Sequence, residues 1–156
     1  MNAASRYRVR WVIFAYLFAF SFIAYLQNES FSIAAVQIMP ELGYTQIAFG
    51  WLVTARLITY TAFQLPGGVF GEWLGARKAL TIIALVAFAA AVATPLAPLV
   101  LAGTLLFSVL IVARLTLGMA QGPLFPITTG AIAAWFPVGQ WGFPNGLLST
   151  GYQLGN

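Results

Sequence analysis

Cysteine and histidine are both absent, and only three side chains are acidic. The first absence excludes a disulfide framework, and the two together remove the ordinary zinc ligands. A nucleophile paired with a histidine base cannot be assembled, and serine or threonine without a base is no substitute. The chain is therefore read as not an enzyme, with no cofactor and no metal. Charge of either sign is scarce: 6% of the 156 residues are charged and 61% are hydrophobic, with a mean hydropathy of +0.89. A packed soluble domain needs far more polar surface than this composition supplies.

What is present is a series of long apolar runs. A bilayer core about 30 Å thick takes roughly 20 apolar residues in a helix. On that measure the expected fold class is an all-α membrane protein with four transmembrane helices and the start of a fifth. The spans are placed at about 11–36, 46–66, 79–96 and 100–135, with 145–156 incomplete. The last run stops at Asn156 after barely three turns and without a polar tail, so the sequence reads as a fragment with the remainder missing. A complete small protein with a frayed end is the alternative.

The net charge of +4 invites comparison with nucleic-acid binders, but its placement argues against one. Arg6, Arg8 and Arg10 precede the first span, and Arg77 with Lys78 stand between the second and third. Lys and Arg concentrate in cytoplasmic loops, which puts the N-terminus inside. The loop at 37–45 carries only Glu41, and the one near 94–99 carries no charge; both are read as outside. Pro40 with Gly43, Pro66-Gly67-Gly68, and the pair Pro95 and Pro98 are expected to close spans at their loops. In the long fourth span, Gly118, Gly122, Pro123 and Pro126 crowd about two turns, the pattern of a kink packed tightly or lining a cavity.

Two arginines lie where a membrane should be. Placing one mid-bilayer costs about 2.5–3.5 kcal/mol on insertion scales, so Arg56 and Arg114 each need a carboxylate, a row of carbonyls or water. The only intramembrane acid is Glu29, since Glu41 and Glu72 fall in loops. Two readings are open: arginines paired with acids here or in the missing part, or a guanidinium kept to grip an anion. Arg114, Gly118, Gln121, Gly122 and Phe125 recur at three- and four-residue steps and should share one face. On the first span Tyr16, Phe20, Ile23, Gln27 and Ser30 form a stripe with Tyr25, Asn28 and Ser32 beside it. The polar run Gln27-Asn28-Glu29-Ser30 cannot face lipid on all sides, which implies a protein-lined or aqueous interior.

The turn Gly68-x-x-Gly71-Glu72-x-x-Gly75-x-Arg77-Lys78 resembles the signature loop between helices two and three of the major facilitator superfamily, in its N-terminal half. Glu72 stands where the family usually has Asp, and Trp73 where it commonly has Arg. Within the superfamily the chain is most similar to the anion:cation symporter branch. That likeness is carried by Arg6-Tyr7-Arg8, Tyr25-Leu26 with Ser32, Phe63-Gln64-x-Pro66-Gly67-Gly68, Arg114-x-x-x-Gly118-x-x-Gln121-Gly122-x-x-Phe125-Pro126, Trp135-Phe136-Pro137 and Asn145-Gly146. Gln27 and Asn28 replace the Asp-Arg frequent in the branch, and Gln121 replaces a glutamate of proton-coupled members.

The resemblance implies a secondary active transporter of a small organic anion, of the sugar-acid or carboxylate class, in the bacterial cytoplasmic (inner) membrane. Taken with the reading of the residues, it gives substrate contacts from Arg114, Gln121, Gln27, Asn28, Tyr25 and Arg56, the last standing where the family usually has an apolar or aromatic residue, with Glu29 as the candidate proton carrier. Gly68, Gly71, Glu72, Gly75, Arg77 and Lys78 would form the gating loop. The partners it implies are the anionic solute, the lipid bilayer, a coupling proton or cation, and the missing C-terminal half of the same protein. The rival readings are a non-transporting membrane subunit and an inactive truncated copy.

Overall fold

The computed structural model describes residues 3–154, without the side chains of 3–7, 32, 34–38, 41, 42 and 154. The expectations that rest on the side chains of Arg6, Tyr7, Ser32 and Glu41, and on Gly155 and Asn156, lie outside the described residues. Among the described residues six α-helices follow one another: α1 (Ala3–Leu42), α2 (Gln46–Leu74), α3 (Ala76–Val100), α4 (Gly103–Gln121), α5 (Leu124–Trp135) and, after a 3-10 turn at Val138–Gln140, α6 (Gly142–Leu154). Among the described residues, three stretches are long and apolar enough to cross a membrane: Arg8–Phe31, Ala76–Val100 and Gly103–Trp135. α2 falls short of them in apolarity because Arg56, Gln64 and its threonines interrupt the run.

The chain forms two compact units, one of residues 1–31 with 128–156 and the other of residues 32–127. In the second unit α4 packs against both α2 and α3, most extensively against α2. Its seam with α3 is built from small residues: Ala87 and Ala90 meet Leu117 and Ala120, with Val86 alongside. Side chains this small let helix backbones approach closely, which is how helices associate when lipid offers no hydrophobic drive between them.

Several helix ends differ from expectation. Pro66 lies inside α2, which runs on to Leu74; Pro95 and Pro98 lie inside α3, which runs to Val100; Pro40 lies inside α1. Each proline forfeits one backbone hydrogen bond, whereas ending a helix in an apolar medium would free up to four carbonyls at several kcal/mol each. Continuing is the smaller cost. α1 stops instead at Gly43 (φ 66°), where the Tyr44 N–H bonds to the Met39 carbonyl at 3.0 Å and the Gly43 N–H to that of Pro40 at 3.4 Å, a Schellman ending. The Thr45 hydroxyl then accepts from the Ala48 N–H and caps α2. Between α2 and α3 the turn is Gly75 alone, at φ 81° and ψ 142°.

The fourth span is broken as its glycines and prolines suggested. α4 ends at Gln121, Gly122 and Pro123 form a turn, and α5 begins at Leu124. Pro123 has no N–H to continue the ladder, though its carbonyl accepts from Ile127 and restarts it.

In the first unit, α1 contributes Phe14, Leu17 and Ser21 to the buried face, with Ile132, Phe136, Leu148 and Tyr152 from α5, its following turn and α6. Trp11 stands edge-on to Phe14, Phe136 and Phe143, and Trp141 Nε1 donates to the Phe136 carbonyl at 2.8 Å. Arg10 lays its guanidinium over the Phe136 ring, 5.3 Å from the centroid. That contact adds to its place among the N-terminal cations, because a ring face attracts a cation electrostatically. The Tyr16–Phe20–Ile23–Gln27–Ser30 stripe is on the opposite side of α1, with Tyr16 73% exposed.

Candidate functional site

The second unit holds both arginines that the sequence places within its apolar runs. Arg114, on α4, is 4% exposed. Arg56, in the middle of α2, is half-buried, and its Nε and Nη2 both donate to Gln121 Oε1, at 3.3 and 3.1 Å. Its guanidinium carbon lies 5.6 Å from the centre of the Tyr60 ring, one turn further along α2. Gln121 is 3% exposed. Its amide oxygen and the aromatic face offset part of the desolvation of Arg56, but both are neutral, so neither contact cancels the charge.

Glycine brings these side chains together. A Cβ on Gly118 would collide with the Arg56 carbonyl oxygen and with Thr59 Oγ1, and one on Gly122 would stand 2.5 Å from the Tyr60 carbonyl oxygen. Gly118 of α4 and Gly122 just past its end, four residues apart, therefore lie directly on the backbone of α2. Arg114 is one turn before this contact and Gln121 is within it. Thr59 Oγ1 donates back to the carbonyls of Ala55 and Arg56, so that the hydroxyl beside Gly118 is satisfied within its own helix.

The same seam continues toward the end of α2. A Cβ on Gly67 would meet the Pro123 ring, and one on Gly71 would lie 2.6 Å from Ile127 Cδ1. Gly68 has Pro126 as its neighbour at 3.2 Å. The glycines of the expected gating loop are thus helix-packing residues, and only Gly75 makes the turn. Glu72, Trp73, Arg77 and Lys78 surround that turn and are exposed, Trp73 at 84%. A groove of about 410 Å³ lies beside this seam, lined by Phe63, Phe70, Ile83, Val86, Met119 and Pro123 among others; its lining is carbon and offers no grip for an anion.

Gln27, Asn28, Tyr25 and Glu29 belong to the first unit, where α1 carries all four at intermediate exposure. Asn28 Nδ2 approaches Glu29 Oε1 at 3.5 Å, and Ser30 returns its hydroxyl to the Leu26 carbonyl at 2.7 Å. The Tyr25 ring stands 4.8 Å from that of Tyr152. The Tyr152 hydroxyl accepts from Ser21 Oγ at 3.4 Å and shares a proton with Thr128 Oγ1 at 3.0 Å. Sequence reasoning passed over Ser21, Thr128 and Tyr152. The available signal was Ser21, a hydroxyl in an apolar helix one turn before Tyr25.

The expected common face of α4 holds for Arg114, Gly118, Gln121 and Gly122, which are all buried, but not for Phe125, which is 40% exposed. The break at Gly122-Pro123 ends the 3.6-residue register, and positions counted across it no longer align.

Comparison with known proteins follows the same lines. The sequence matches the Major Facilitator Superfamily over residues 17–156. It is 33% identical over 150 residues to the probable sulfoacetate transporter of Cupriavidus necator, covering 96% of this chain and 33% of that protein. It is 32% identical over 151 residues to the probable galactarate/D-glucarate transporter of Bacillus subtilis, covering 95% and 32%. To the D-galactonate transporter of Escherichia coli it is 29% identical over 155 residues, covering 99% and 34%. The chain spans about a third of the length of these curated relatives.

Proposed function

The chain belongs to the Major Facilitator Superfamily, and from that premise we propose that it carries the N-terminal transmembrane portion of a secondary transporter for a small organic anion. In the intact protein, substrate binds near the bilayer midplane between two halves that expose it alternately to each side. Arg114 anchors a carboxylate or sulfonate, with Gln121 and Arg56 on the same seam. Gln27, Asn28 and Tyr25 add hydrogen bonds, and Glu29 is the proton carrier if coupling runs through this half. The Gly75 turn with Glu72, Arg77 and Lys78 faces the cytoplasm of a bacterial inner membrane, on the same side as the N-terminus.

One observation supports this reading above the others: a guanidinium 4% exposed on a helix of a membrane-spanning stretch. Intramembrane arginines are costly and mark ion or substrate paths. The solutes in the names of these relatives, sulfoacetate, galactarate, D-glucarate and D-galactonate, each have at least one carboxylate, which a guanidinium grips in bidentate fashion.

The test is uptake of these four solutes by the native gene product in proteoliposomes, before and after Arg114→Gln. Loss of uptake with protein level and melting temperature unchanged is the expected result. Uptake at the native rate removes Arg114 from the site. In the same assay Glu29→Gln should flatten the pH profile, and an unaltered profile excludes Glu29 as carrier.

A further inference from the structure

The groove of about 410 Å³ in the second unit has a buried floor and half-open walls. Gly67, Ile83 and Ala120 form the floor, and Phe63, Phe70, Ile82 and Met119 stand beside it at 39–45% exposure. All the lining side chains are apolar, so water inside would find few partners for its hydrogen bonds.

Along the helices the groove has the depth of one lipid leaflet. Phe70 and Phe63 lie five and twelve residues before Gly75, and Ile82 and Val86 seven and eleven residues after it. At a helical rise of about 1.5 Å per residue, the lining runs from about 7 to about 18 Å from that turn. Half of a hydrocarbon core about 30 Å thick is about 15 Å. The end nearer the turn is rimmed by Trp73, three residues past Phe70, and by Lys78, four residues before Ile82, both exposed. Steps of three and four residues stay on one helical face, so this ring and this cation border the groove. Glu72 and Arg77 do not: two residues past Phe70 and five before Ile82, they fall toward the far sides of α2 and α3.

We propose that the groove seats one acyl chain of an anionic phospholipid whose phosphate pairs with Lys78, in the leaflet on the side of the Gly75 turn. A free anion gains nothing from carbon, and an uncharged apolar molecule gains nothing from the lysine. A molecule with an apolar tail and an anionic head uses both ends, and Trp73 lies at the headgroup level where indole rings collect. A zwitterionic lipid brings an ammonium that Lys78 repels, so the site prefers phosphatidylglycerol to phosphatidylcholine. The seated chain touches α2, α3 and α4 at once.

The test uses the native gene product in phosphatidylcholine vesicles holding a trace of phosphatidylglycerol with a photoreactive diazirine on its acyl chain. Cross-links are mapped by peptide mass to segments 63–70, 82–86 and 119–123. Unlabelled phosphatidylglycerol should displace the label from these segments about five-fold more effectively than phosphatidylcholine, the worth of one lysine near a membrane surface. Lys78→Gln should bring the two competitors to within about two-fold of each other, whereas Arg77→Gln should keep the native preference. Ile82→Trp, at an exposed position on the wall, should lower labelling of the groove with either headgroup. Labelling at Phe88, which is 69% exposed on α3, should stay as it is.

Equal displacement by the two lipids in the native protein reduces the occupant to ordinary boundary lipid and overturns the proposal. So does an equal loss in Arg77→Gln and Lys78→Gln, which makes the attraction a diffuse one. Absence of label from all three segments means that another part of the native protein covers the groove, and it too overturns the proposal. Seating of a lipid requires only that α2–α4 stand in a bilayer, and no step of the test reads uptake, so its failure and that of the transport reading are distinguishable.

Discussion

Gly118 of α4 rests on the carbonyl group of Arg56 in α2, with no room between them for a methyl group. The contact is made of backbone on one side and a missing side chain on the other. It joins the helix that carries Arg114 to the one that carries Arg56.

Gly118→Ala should therefore separate α2 from α4. Overpacking of this kind costs about 1–3 kcal/mol, to be read as a lowered melting temperature in detergent. Gly130→Ala is the control: it lies in α5 with open space around the position, and an alanine there should be neutral or stabilising by up to about 1 kcal/mol. Equal melting temperatures for the two variants would remove the close approach.

Further along the seam, Gly71 and Ile127 form a pair of a small and a large residue. Gly71→Ala alone should destabilise by overpacking, and Ile127→Ala alone by leaving a cavity, about 2–5 kcal/mol for the latter. Combined, each relieves the other, and the double variant should be more stable than the sum of the two losses. Strict additivity in a chemical or thermal unfolding cycle would contradict the contact.

The Tyr152 hydroxyl is shared between Ser21 and Thr128, both fully buried. Tyr152→Phe removes one hydrogen-bond contact from each of those hydroxyls and should cost about 1–3 kcal/mol, nearer the lower figure in a membrane. Thr128→Val should cost more than Ser21→Ala, since the Thr128 contact is the shorter by 0.4 Å (3.4 against 3.0 Å). The opposite order in unfolding measurements would show that the geometry does not rank these bonds.

Gly75 holds a backbone conformation, φ 81° and ψ 142°, close to a region that only glycine occupies freely. Gly75→Ala should cost about 1–3 kcal/mol although nothing crowds the position. A melting temperature equal to that of the native protein would contradict the backbone strain.

The helical character of the chain and the break in its fourth span could be read from composition and from the Gly122-Pro123 pair. So could the two arginines, whose cost in lipid marks them whatever the fold. The helix ends could not. Pro66, Pro95 and Pro98 look like terminators by the habits of water-soluble helices, where a freed carbonyl finds water; in an apolar run the helix continues through them. Phe125 was misplaced because a periodicity carries no information past a break. The Arg56–Gln121 bond spans 65 residues, and nothing local in either sequence neighbourhood announces the other. Tyr152 was missed for the same reason, its partners lying 131 and 24 residues away.

Gly118 and Gly122 have one more consequence. Where helices meet through side chains, each substitution resets their separation, and the groups they carry shift with it. Here the spacing is set by main-chain atoms, which no change of rotamer can lengthen or shorten. The seam acts as a fixed gauge: substitutions at 56, 114 or 121 alter what is displayed without altering the frame that displays it. A lineage of such chains could exchange one set of displayed polar groups for another through a few side-chain replacements, provided the gauge itself is left untouched.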